Sequence, residues 1–157
     1  MISRLLPAQG RVPFRGVTMN RRTVAALKWA EKRAGFPFGI AQGSYHAGVA
    51  ASAGTHNGGG VIDVRVQGRT ELEIAIMLRA LKDAGFCAWR RYNVPGLWGP
   101  HIHAVLRGDP ELAPLAKAQV LDYDAGNDGL ASHRKDPSYR PKPRVKFNYL
   151  LNKPVAL

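Results

Sequence analysis

At 157 residues, 45% of them hydrophobic, the chain carries enough apolar material for one core of its own. No apolar run approaches the ~20 residues that a bilayer-spanning helix needs, and the lone Cys87 excludes an internal disulfide or a thiolate cluster for structural zinc. Charge speaks loudest: 23 basic against 11 acidic residues give +12, a surface drawn to polyanions such as nucleic acid, anionic cell wall or a membrane face.

The first residues, Met1 to Ala8, lack the apolar stretch of a signal peptide, so synthesis in the cytoplasm is expected. Residues 1–19, with Pro7, Gly10, Pro13 and Gly16 among scattered arginines, read as an irregular lead-in. A helix is predicted from Asn20, its cap, to Ala34, with Val24, Leu27, Glu31 and Ala34 along one side and Gly35 ending it. A short strand follows near Ile40–Ser44. Residues 43–60 are rich in Gly, Ala and Ser and form a long loop, which in a small domain is usually functional or disordered.

Val61–Val66 alternates as a strand does: Ile62, Val64 and Val66 on one face, Val61, Asp63 and Arg65 on the other. The strongest helix runs from Thr70 to Ala84. It opens on the capping box Thr70-Glu-Leu-Glu73, carries Ile74, Met77, Leu78 and Leu81 at helical spacing, and stops at Gly85. Phe86–Tyr92 reads as a strand, Asn93–Gly96 as a turn, and His101–Leu106 as a last strand with His101, His103 and Val105 on one face. Asp109 and Pro110 look like the cap and first residue of a helix reaching Leu121. From His133 onward the chain holds seven Lys or Arg against one acid, with four prolines. Residues 127–157 are therefore expected to be a basic, extended arm appended to a domain spanning 1–126.

These elements predict an α+β fold, a small antiparallel sheet with helices on one face and an open cleft on the other. Asp63, His101 and His103 would project into that cleft, and His56 can fold over from the loop. Imidazoles plus one carboxylate, with a position left for water, are the ligand set of a catalytic zinc site. The spacing His-x6-Asp followed by His-x-His resembles the zinc peptidase superfamily of lysostaphin-type endopeptidases, D-Ala-D-Ala carboxypeptidases and the hedgehog signalling domain. The segment from Ser44 to Asp63, including Gly54-Thr-His56, is most similar to the D-Ala-D-Ala carboxypeptidase and L-alanyl-D-glutamate peptidase branch that bacteriophage endolysins use. The resemblance covers residues 20–106.

It implies zinc held by His56, Asp63 and His103, with His101 as the catalytic partner, and hydrolysis of peptidoglycan stem peptides. Many members of that branch place a glutamate three residues before the last histidine ligand. Here that residue is Pro100, and no acid lies between Asp83 and Asp109. Either His101 does the proton work or the site is not a peptidase. Stem peptides carry free carboxylates, so Arg65 is the first choice for a substrate cation, with Gln42, Ser44 and Tyr45 lining the groove and Trp98 a candidate wall. His46 and His133 are expected to be structural or exposed, and Trp29 and Trp89 to be packing. Cytoplasmic synthesis with a cell-wall target fits a phage-released endolysin or a virion-associated lysin, the basic arm docking on anionic wall polymers. Two other readings stand beside it. One is a zinc-containing, hedgehog-like binding module without turnover. The other is a basic polyanion binder, although no helix-turn-helix, zinc-finger or RNA-binding pattern supports specific nucleic-acid recognition.

Overall fold

The computed structural model describes residues 6–157. A four-stranded antiparallel sheet lies at its centre, ordered β3-β4-β6-β5, where β3 is Ile40–Gln42, β4 Val61–Arg65, β5 Phe86–Arg91 and β6 His101–Leu106. Each outer partner of β6 runs antiparallel to it, so β4 and β5 are parallel with β6 inserted between them. The connection from β4 to β5 is helix α2, Glu71–Ala84, which packs beside α1, Arg21–Ala34. Among the described residues no helix is long and apolar enough to cross a membrane.

Both helices form as their sequence dictates. Asn20 caps α1 by accepting the Thr23 N–H at 2.8 Å, and Thr70 and Glu73 close the capping box of α2. Gly35 and Gly85 end them in the left-handed conformation, at φ 90° and 104°, which costs glycine no steric strain. Leu27, Ala26 and Ala30 of α1 and Ile74, Met77 and Leu81 of α2 are buried against Ile62, Val64, Ile102 and Ala104. Val24 and Ala34 only pack at the margin of this core.

Four sequence expectations are corrected. The lead-in is not irregular: Arg11–Phe14 (β1) and Val17–Asn20 (β2) form a hairpin. Its two turn residues, Arg15 and Gly16, have φ of 49° and 83°, the pattern of a two-residue turn matched to strand twist. The reading of residues 1–5 lies outside the described residues. Strand β3 ends at Gln42 rather than Ser44. Helix α3 spans Pro114–Asp124, not 109–121. Asp109 does not cap it, because its buried carboxylate is spent on Glu111 N–H, Gln9 and Asn20, at 2.9, 3.0 and 2.7 Å.

The C-terminal arm is ordered onto the domain. Val145–Asn148 (β7) pairs with Lys153–Ala156 (β8), and Phe147, 1% exposed, sits in the main core beside α2. Among the described residues the fold is thus α+β, with three α-helices and small antiparallel sheets. The second sheet face is only half open: Val61, Cys87, Trp89 and Val105 are covered by Leu112 and by Ala116 of α3. What remains of that face is the cleft.

Candidate metal centre

Strand register brings the polar residues together. Asp63 on β4 stands directly across from His103 on β6, which has Trp89 of β5 on its other side. His101 is two residues earlier on the same face, opposite Arg65 on one side and Arg91 on the other. His56 comes from the long loop, on a single 3-10 turn, Thr55–Asn57, entered through Ala53 and Gly54 at φ 47° and 82°. It is 1% exposed, and Gly58 closes the turn against residues 111–113. A Cβ at Gly58 would lie 2.1 Å from the Glu111 carbonyl oxygen.

Three imidazoles surround one carboxylate oxygen. Asp63 Oδ1 lies 2.8 Å from His103 Nδ1, 3.3 Å from His56 Nε2 and 3.8 Å from His101 Nε2. The ligand atoms of His56, Asp63 and His103 all fall within 4.8 Å of one another, and this group can hold a metal ion. The proton positions, assigned from hydrogen-bond partners, say what such a group needs. His56 Nδ1 stands 2.8 Å from the Gly43 carbonyl, and His101 Nδ1 stands 2.8 Å from the Gly99 carbonyl. A carbonyl only accepts, so each Nδ1 carries the hydrogen and each Nε2 turns a lone pair toward Asp63. Two imidazole lone pairs aimed at a carboxylate require a cation between them, either protons or a metal.

Protonated imidazoles are one such cation, and where they donate to Asp63 they set its titration. Burial would raise the Asp63 carboxyl, but the imidazoles of His103 and His56 outweigh it and hold it well below the usual carboxylate range. Burial lowers His103, against the pull of Asp63. An ionised carboxylate beside a neutral imidazole is the protonation state a metal takes up.

A cleft of about 470 Å³ opens beside this group. Gln42 lines it, tied to Ser52 Oγ at 3.1 Å, and Trp98 walls it next to the His101 ring. Three other substrate assignments fail on placement. Ser44 is 2% exposed and donates to the Val61 carbonyl. Tyr45, at φ 55°, turns away to donate to Glu111, with Arg11 over its ring. Arg65 is exposed and bound to the Ile40 carbonyl at 3.1 Å, outside the cleft lining. The cation that does line the cleft is Arg91, held at 2.6 Å by the Asp128 carbonyl. Period-two alternation puts Arg91 on the face of Trp89, but only the β5–β6 register shows that this is the histidine face. His46 is exposed. His133 is exposed too, yet it reaches the cleft rim on Asp122, at 2.9 Å. Gln119 on α3, 2.9 Å from His103 Nε2, had no local signal at all.

No protein-family model, curated protein or solved structure matches this chain.

Proposed function

We propose that the protein is a zinc-dependent peptidase acting on the stem peptides of bacterial peptidoglycan. The observation that carries the reading is the ring of three imidazole nitrogens around Asp63 Oδ1, at the base of an open cleft. His56, Asp63 and His103 would hold the zinc, which supplies Lewis acidity: it acidifies a water and polarises a carbonyl. Oxygen and nitrogen donors in this proportion suit zinc, and His101 stands apart from the tight group as a third imidazole.

His101 is the proton-transfer residue of this proposal. Its Nδ1–H is anchored to the Gly99 carbonyl, which leaves Nε2 free to take a proton and later return it to the leaving amine. Pro100 occupies the place of the branch's glutamate, and its carbonyl is bound by Gln67 at 3.1 Å. The other acid lining the cleft, Asp122, is engaged by Gly129 N–H, Asn127 and His133. His101 is therefore the available base. Arg91 replaces Arg65 as the cation proposed for a substrate carboxylate.

The sheet, with its cleft face lined by these residues, is the basis for proposing a hedgehog/DD-peptidase-like fold. Cell-wall action as a phage-released or virion-associated lysin, with the basic surface holding anionic wall polymers, belongs to the same proposal. Pro100 favours one second reading, a zinc-containing binding module without turnover. One experiment separates them. Purified protein should carry one zinc per chain, lost in His56→Ala. Muropeptide mass spectrometry should show a cleaved stem-peptide bond, with His101→Ala retaining zinc and losing about 10²–10⁴ in rate. Zinc without cleavage of any muropeptide leaves the binding module, and no zinc at all ends both.

A further inference from the structure

We infer that Gln119 is a positioning residue for His103, and that the segment 127–133 aims it. The functional consequence rests on the zinc reading above; the orientation itself does not. His103 has two ring nitrogens, and only Nδ1 faces Asp63. Nε2 meets Gln119 Oε1 at 2.9 Å. The amide cannot be turned round without loss, because its Nε2 donates to the Gly129 carbonyl at 2.9 Å and a carbonyl only accepts. Gln119 Oε1 therefore demands a hydrogen on His103 Nε2, and Nδ1 is the nitrogen left to serve as a ligand.

Gly129 is itself pinned. Its N–H donates to Asp122 Oδ2 at 2.7 Å, and Asp122 Oδ1 also holds Asn127 Nδ2 and meets His133 Nδ1, both at 2.9 Å. Its φ is +70°, and a Cβ there would come within 2.8 Å of the Trp89 ring, which stacks on His103. Helix α3 and the loop after it thus orient a metal-ligand histidine on the central strand. Neither Gln119, Asp122 nor Gly129 lies in the residues 20–106 that carry the family resemblance. Groups of this kind, hydrogen-bonded behind a ligating histidine, are worth 10–100-fold in metal affinity.

Long-range 1H–15N NMR of the histidine rings and zinc affinity by chelator competition test this together. The wild type should show a hydrogen on His103 Nε2, with or without zinc. Gln119→Leu should bind zinc 10–100-fold more weakly while His56 keeps its own tautomer. Gln119→Glu, which keeps an acceptor for Nε2–H, should restore affinity to within a few-fold of wild type. A bare His103 Nε2 in the wild type overturns the inference and needs no variant to fold. So does a folded Gln119→Leu with unchanged zinc affinity. Were the wild type to show the Nε2 hydrogen and take up no zinc, the peptidase reading would fail and the positioning role would stand.

Discussion

Asp63 Oδ1 gathers three imidazoles because each histidine ring is turned by a backbone carbonyl or amide behind it, not by the carboxylate alone. Asp63→Asn keeps the shape and an acceptor oxygen but loses the charge that a divalent ion needs. It should fold, at a cost of about 1–3 kcal/mol, and bind no zinc by chelator competition. Gly58 tests the loop that delivers His56. Its φ of −101° suits any residue, so Gly58→Ala fails on space alone, against the backbone of residues 111–113. An overpacking loss of about 1–3 kcal/mol is expected, with zinc affinity falling in parallel in thermal melts and titrations. Cys87 gives a pH prediction. Burial pushes its thiol up to about 12, from 9.0. Between those values the unfolded chain loses the proton and the folded chain keeps it, so stability falls as pH rises above about 9. At pH 8 the native thiol should resist alkylating reagents that label the denatured protein fully.

Elements decide who meets whom. Helix α3 seals half of the second sheet face through Ala116 and carries Gln119 to His103, while the hairpin β7–β8 delivers Phe147 into the core beneath α2. A mobile arm would tolerate truncation there. Phe147→Ala should instead cost about 3–5 kcal/mol, read as a lowered denaturation midpoint with unchanged slope. The same substitution lies across the sheet from the cleft, so zinc stoichiometry at low temperature should stay at that of the wild type.

The whole molecule carries +12, and three of its acids have structural or site roles. Asp63 stands at the candidate metal centre, Asp109 ties β2 to the turn before α3, and Asp122 ties down the loop after it. The remaining basic surface should give binding to anionic polymers that weakens steeply with salt. Acid acts on the centre itself. Asp63 and His103 both titrate below their ordinary values in the fold. Below about pH 6.5 the unfolded chain therefore takes up protons first, and stability falls as pH falls. Protons would also compete with a metal bound at this group for the same lone pairs. Differential scanning calorimetry from pH 7 to 5 should show a falling transition temperature, with zinc lost over the same range.

Much was legible before folding, for local reasons. The caps at Asn20 and Thr70 and the stops at Gly35 and Gly85 are interactions within a few residues, and period-two alternation put Asp63, His101 and His103 on polar faces. Those signals end where partners are distant in sequence. Asp109 looked like a helix cap until Asn20 and Gln9 claimed its carboxylate, and Phe147 looked like part of a charged tail. Arg65 was the first choice for the substrate cation until the structure placed it at the exposed end of β4 and strand register put Arg91 in the cleft. The linear order of residues determined the types of element and the chemistry available at the centre, because propensity and side-chain chemistry are properties of short stretches. Only the tertiary structure decided that α3 and the loop behind it hold His103 by its far nitrogen, because a hydrogen bond between residues 103 and 119 exists only once the packed sheet has brought them within reach.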